Sequence, residues 1–372
     1  METPPFVKSF FLSFLIVISI QHLAFPADTI HVSCVGNSIT KAEGLDGADT
    51  ASFPARLQQM LGSGYNVLNC GVAGATMLKL GNKPYWTFGI TQFKEAMAFL
   101  PNIVTIELGT NDSKGSGGVD NWPSHSGEFI GDYEAMVDTF SYLPTHPKVW
   151  AFYPTPAFST AYLIDSMVIH YEILPKIKTV VLDKGIPLID MWTLMSSQKS
   201  LFPDGIHPNA AGYLMMAQKI YGMFMKDTLK VFQQKNRLAA PQNGSFYQWY
   251  CTDVPVAAAV GGNDEVLFAK DTGLYRALVG QSTTNDDMLV TNTVHVSPSD
   301  LNTSILSKVN AHSPFMTDDG IVAIYSITGR LVANVHATKN FTPASLADKL
   351  PVKANGVYFL KTGSSVFKLL IK

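Results

Sequence analysis

The chain has 372 residues, of which 47% are hydrophobic and 15% charged, and its formal net charge is -2. That length exceeds what one ordinary domain needs, and so much apolar content excludes a disordered chain. The small net charge excludes the basic footprint of a nucleic-acid binder, so a neutral or weakly charged partner is expected.

At the N-terminus, Lys8 precedes an apolar run from Phe10 to Ile20, and the small residues Ala24 and Ala27 follow. This is the layout of a secretory signal peptide over residues 1–27, cleaved near Ala27. The run is short for a bilayer span, the alternative being an uncleaved anchor. No other segment reads as transmembrane, so stable membrane insertion is not expected. Three cysteines, Cys34, Cys70 and Cys251, cannot all pair within one chain, and their spacing matches no zinc site. Cys34 and Cys70 lie in apolar runs, which predicts buried thiols. No structural metal and no cofactor is expected.

Over residues 28–232 short apolar runs alternate with amphipathic stretches. The runs are Ile30–Val35, Tyr65–Leu68, Ile103–Leu108, Val149–Tyr153 and Ile186–Ile189. Between them, Phe129, Tyr133, Met136, Val137 and Phe140 fall on one helical face. Pro54 and Gly62 punctuate a helix over Ala51–Leu61, and a long helix over Ala210–Val231 closes the region. Alternation of strand and helix predicts a parallel sheet covered on both faces, with its chemistry in loops beyond the carboxyl ends of the strands. Residues 233–250 read as a linker. Beyond them Asp, Asn, Thr, Ser and Gly interrupt short β-rich runs, including Ala323–Ile327, Leu331–Val335 and Val357–Leu360, which predicts a small separate β-domain. Residues 251–318 are the least defined part of it.

Four strand-end segments carry candidate chemistry. The first strand runs into Gly36-Asn37-Ser38-Ile39-Thr40, which exposes a serine on a strand-to-helix turn; by itself such a serine is a common loop residue. The second ends in Asn69-Cys70-Gly71-Val72-Ala73-Gly74, where a glycine can bring a backbone N–H to an anion or simply turn the chain. The third ends in Glu107-Leu108-Gly109-Thr110-Asn111-Asp112, where an asparagine amide can donate into a crevice or form an Asx turn. The last loop, Pro203-Asp204-Gly205-Ile206-His207-Pro208, precedes the final helix. A spacing of three lets Asp204 bond the Nδ1–H of His207, leaving Nε2 free to accept a hydroxyl proton.

The order Ser, Gly, Asn, Asp-x-x-His, each after a different element, resembles the SGNH (GDSL-type) hydrolases over residues 28–232. The resemblance implies a three-layer αβα sandwich on a five-stranded parallel sheet of flavodoxin-like type, followed here by the small β-domain. It implies Ser38 as nucleophile, His207 as base and Asp204 as its orienter, with Ser38 N–H, Gly74 N–H and the Asn111 side chain as oxyanion hole. Asn37 departs from the pattern, standing where many members carry Asp; since that residue moves no proton, activity is expected to survive. The segments around Ser38, Gly81-Asn82-Lys83-Pro84-Tyr85-Trp86 and Asn111-Asp112-Ser113-Lys114 look like the branch of carbohydrate or sialate O-acetylesterases.

An acetylated carbohydrate is therefore the expected substrate. Tyr85, Trp86 and Trp122, in loops after the second and third strands, are candidate platforms for sugar rings, with loop packing as the alternative. Trp192 reads as packing. The segments Ile324–Val332, Gly356–Leu360 and Lys368–Lys372 resemble type IX secretion sorting domains, without the usual Pro-Asn-Pro opening. That resemblance implies a partner in the secretion machinery and a secreted or cell-surface protein for residues 319–372; a carbohydrate-binding role is the competing reading. The competing functions are a lipase or lysophospholipase of the same fold and a non-catalytic glycan-binding protein. With a histidine base, activity should decline as pH falls through about 6–7.

Overall fold

A computed structural model describes residues 29–242 and 244–301 together with strands 320–326, 331–337, 356–362 and 365–371. Residues 1–27, expected to be a signal peptide, lie outside the described residues. Five parallel strands form the centre: β1 (Ile30–Gly36), β2 (Tyr65–Gly71), β3 (Ile103–Glu107), β4 (Lys148–Tyr153) and β5 (Leu188–Asp190), in the spatial order β2-β1-β3-β4-β5. Each expected run became a strand, and the order is the doubly wound one in which the chain reverses direction across β1.

Both faces of this sheet are covered, and β4 shows why. Its side chains alternate at a period of two. Val149, Ala151 and Tyr153 enter one core layer with Phe129, Tyr133 and Phe140 of the Phe129–Ser141 helix and Ile177 and Val181 of the Leu174–Lys184 helix. Trp150 and Phe152 enter the opposite layer with Phe53 and Leu57 of the Phe53–Leu61 helix and Tyr213, Met216 and Ile220 of the Ala210–Lys226 helix. A strand buried on both sides reads as an unbroken apolar run, as Val149–Tyr153 does. The closing helix stops at Lys226, short of the expected Val231.

The segment after this helix differs from expectation. Residues 233–250, expected as a linker, carry most of β6 (Phe232–Gln234), β7 (Arg237–Ala239) and the start of β8 (Tyr247–Cys251). After these come β9 (Val254–Pro255), β10 (Val266–Phe268), β11 (Gly273–Gly280), β12 (Met288–Val290) and β13 (Val294–Val296). They do not form a separate β-domain. Met288 of β12 pairs antiparallel with Leu188 of β5, and the sheet continues through β11, β8 and β9. The five-stranded parallel sheet is thus one half of a ten-stranded mixed sheet. Tyr250, Leu278 and Met288 complete the first core layer, while Trp249, Ala277 and Val279 point the other way into a smaller core beneath β6, β7 and β10.

Polar bonds fix this junction. Asp287 accepts from Asp190 N at 2.9 Å and pairs with Lys219, and Asp286 accepts from Tyr153 Oη and Lys178 Nζ at 3.0 and 2.8 Å. Farther on, β14 (Gly320–Ser326), β15 (Leu331–Ala337), β16 (Gly356–Thr362) and β17 (Ser365–Ile371) make an antiparallel sheet in the order β15-β14-β16-β17. Among the described residues no helix is long and apolar enough to cross a membrane.

Candidate active site

The four expected segments converge at the carboxyl end of the parallel sheet, where β2 and β3 flank β1 on opposite sides. Ser38 opens a one-turn helix, Ser38–Lys41, directly after β1. Asn37 caps that turn, its Oδ1 accepting from Ile39 N at 2.8 Å. As the first helical residue, Ser38 has an N–H that helix geometry leaves without an intrahelical acceptor. Gly36 makes the tight exit possible, because a Cβ there would lie 2.0 Å from Thr40 Oγ1 and 2.8 Å from Glu107 O.

The loop before the Ala210–Lys226 helix presents His207. Its Nε2 lies 2.9 Å from Ser38 Oγ, and its Nδ1 lies 2.6 Å from Asp204 Oδ2. Asp204 Oδ1 meanwhile accepts from the backbone N–H of Ile206 and His207 at 2.8 and 2.7 Å, so the carboxylate both folds its own loop and aims the ring. Partial burial works against the charge of Asp204, but the N–H groups and ring of His207 and the Ile206 N–H outweigh it and hold the carboxyl below its usual range.

Gly74 and Asn111 face the same cleft as Ser38 and His207, a cavity of about 740 Å³. Gly74 adopts φ +80°, a left-handed conformation that favours glycine. Asn111 is buried and spends one amide hydrogen on Ala75 O at 3.1 Å, which leaves the other to donate. Asp112, next along, is fully buried and accepts from Met77 N and Leu78 N at 3.0 and 2.8 Å, tying the loop that carries Gly74 to the end of β3. Burial pushes its carboxyl up to about 6 even though those N–H groups pull it down.

The three aromatic candidates are not in the cleft. Tyr85 is fully buried and donates to Cys70 O at 2.7 Å. Trp86 donates to Met77 O at 3.0 Å and packs edge-on against Phe93. Trp122 is 4% exposed, donates to Glu172 Oε2 at 2.7 Å and packs on Phe129. Each ring satisfies its polar tip internally; Tyr85 and Trp122 fill the core, and Trp86 packs half-buried against it. Trp192 stacks on His170 with ring centres 4.9 Å apart. Cys34, Cys70 and Cys251 are all free, and burial raises the Cys34 thiol to about 12.

Two neighbours of the site escaped the sequence reading. Tyr162 is exposed, takes φ 57°, sets its ring edge-on to His207 at 5.4 Å and offers its hydroxyl to Asp204 Oδ2 at 3.4 Å. Nothing in its loop marks it. Glu107 sits fully buried under the Ser38 turn, with Oε2 accepting from Thr40 Oγ1 at 3.2 Å. Burial drives its carboxyl up to about 8, against the Thr40 bond and the nearby Asn37 amide; Asn37 Nδ2 and Glu107 Oε1 do not reach hydrogen-bond geometry with each other. A carboxylate ending an otherwise apolar strand was the available signal for it.

The chain resembles several known proteins over about half of its length. A stretch of 211 residues, 52% of this chain, is 37% identical to an acetylxylan esterase of Xylanibacter ruminicola and covers 42% of that protein, so the chain spans less than half the length of this relative. Est24, a carbohydrate acetylesterase from Sinorhizobium meliloti, aligns over 53% of this chain and 99% of its own at 18% identity, with a TM-score of 0.45. The native aryl esterase of M. smegmatis aligns over 53% and 99% at 18% identity, with a TM-score of 0.44. Neither structural likeness bears on activity. Residues 34–215, which hold Ser38, Gly74, Asn111, Asp204 and His207, match the GDSL-like Lipase/Acylhydrolase family.

Proposed function

We propose that this protein is a serine esterase that removes acetyl or other small acyl groups from carbohydrate. The observation that carries the reading is the unbroken chain from Asp204 through His207 to Ser38, at 2.6 and 2.9 Å, opening into a cleft. Ser38 Oγ attacks the ester carbonyl while His207 Nε2 takes its proton, and Asp204 keeps the ring in the right tautomer. Charge grows on the carbonyl oxygen, which Ser38 N–H, Gly74 N–H and Asn111 Nδ2 receive. His207 then protonates the leaving sugar oxygen as its bond to the acyl carbon breaks, freeing the sugar hydroxyl, and water, activated by the same ring, releases the acyl group from Ser38.

Carbohydrate as the alcohol is supported by the 37% identical relative, an acetylxylan esterase. The experiment is acetate release from acetylated xylan, acetylated sugars and an aryl acetate, with Ser38→Ala as control. Release by the native protein and none by the variant is expected; no release from any of the three rejects the reading. An aryl-ester series that favours long acyl chains over acetyl would make it a lipase instead. We also read residues 1–27 and 319–372 as export segments. Protein recovered from the growth medium should start near residue 28, and retention inside the cell would reject export.

A further inference from the structure

The wall of the cleft beside the oxyanion donors is cationic. Lys114 follows Asn111 by three residues, lines the cleft and is only 9% exposed. Lys83 lines it too, at the exposed mouth, and its Nζ lies 3.4 Å from where a Cβ on Gly74 would stand. Among the described residues neither ammonium makes an ion pair. Lys83 rests over the Phe88 ring at 5.1 Å, and Asp112, the carboxylate near Lys114, is engaged by Met77 N and Leu78 N. Burial and the charge of Lys83 both lower the pKa of Lys114, which the charge of Asp112 offsets only in part, so the two cations repel each other.

The stem of Lys114 is covered while its ammonium opens to the cleft, where an anionic ligand would pair with it. Glu43, Asp46 and Asp204 also line the cleft, of which Glu43 already pairs with Lys41 at 2.7 Å and Asp204 with His207 at 2.6 Å. With Lys83 beside Gly74 and Lys114 close after Asn111, an anion entering the cleft is drawn to that part of it. An acetyl group bears no charge, so the anion must belong to the alcohol part of the ester.

We propose that Lys114 and Lys83 form a carboxylate subsite that selects esters of acidic sugars, either uronic acids or sialic acids. This rests on the esterase reading. The carboxylate accepts from both ammonium groups, and that pairing holds the acylated hydroxyl of the same or a neighbouring ring against Ser38.

The test compares acetylated oligogalacturonide with the same material after reduction of its carboxyl groups, which removes the charge and keeps the ester. The native protein should show at least about tenfold higher kcat/KM on the acidic form, an advantage that shrinks as salt rises. In Lys83→Gln and in Lys83→Gln/Lys114→Gln the ratio should collapse toward one. An O-acetylated sialic acid forms a second arm, and the arm whose turnover depends on the lysines identifies the source of the carboxylate. Equal rates on charged and reduced substrates in the native protein, with no preference for the sialic acid over a neutral acetylated sugar, would overturn the proposal. So would a preference that survives in the double variant. Calorimetric binding of oligogalacturonide and sialic acid to Ser38→Ala separates this proposal from the esterase reading, since it needs no turnover. Salt-sensitive binding of either acid, lost in Lys83→Gln, keeps the subsite even if no ester is cleaved, and absence of binding for both rejects it.

Discussion

Asn111 shows how one side chain divides its labour, with one amide hydrogen on Ala75 O and the other turned to the cleft. In the esterase reading its loss removes one of three oxyanion donors. Asn111→Ala should lower kcat by about 10²–10³, roughly 3–4 kcal/mol, in an aryl acetate assay. A loss below about threefold would take Asn111 out of the oxyanion hole. Glu107 makes a different prediction, about stability. Its carboxyl titrates near 8 when folded and near its ordinary value of 4.5 when unfolded, so between these limits the folded state holds the extra proton. Stability from this group therefore falls as pH rises through that window. Glu107→Gln keeps an acceptor for Thr40 without the titration, and its urea midpoint should gain on the native protein between about pH 5 and about pH 8. A constant difference across the range would show that Glu107 is ionised in the fold. Asp204 has the opposite sign: its depressed carboxyl stabilises the fold above the ordinary aspartate range, and that stabilisation is lost only as pH falls through its lowered folded value.

Among the elements, the loop after β2 is held by another strand's end. Asp112 binds Met77 N and Leu78 N, and Asp132 binds Lys79 N at 2.7 Å, so the chain just beyond Gly74 is fastened at three consecutive N–H groups. Asp112→Ala leaves two buried donors unpaired, a cost of about 1–3 kcal/mol each. The expected result is a lower melting temperature together with a drop in kcat, since Gly74 loses its support. A variant that melts lower yet keeps full kcat would show that the loop holds its shape without Asp112. The helices follow simpler rules. Ser52 caps Phe53–Leu61 with Pro54 in its first turn, and Asn209 caps Ala210–Lys226 by accepting from Ala211 N and Gly212 N. The second of these caps begins two residues after His207, so that ring stands on a firm helix entry.

For the whole molecule, β12 closes the edge that β5 would otherwise expose, and Asp286 and Asp287 bolt it to Lys178, Lys219, Tyr153 and Asp190. Removing everything after residue 232 would bare that edge and strip Tyr250, Leu278 and Met288 from the first core layer. Such a truncation should aggregate or melt far below the full chain, as light scattering and thermal unfolding would show; an equally stable fragment would mean the extension is dispensable. The sequence by itself determined the five parallel strands, the helices between them and the segments bearing Ser38, Gly74, Asn111 and Asp204 with His207. These are local properties, written in apolar periodicity, caps and short polar motifs. Only the tertiary structure decided that residues 233–301 extend the parallel sheet, because strand pairing between Leu188 and Met288 leaves no mark in either segment. It also decided that Tyr85, Trp86 and Trp122 pack inward while Tyr162, Lys83 and Lys114 face the cleft or its rim. Which way a loop side chain turns depends on neighbours distant in the chain, and no spacing rule encodes them.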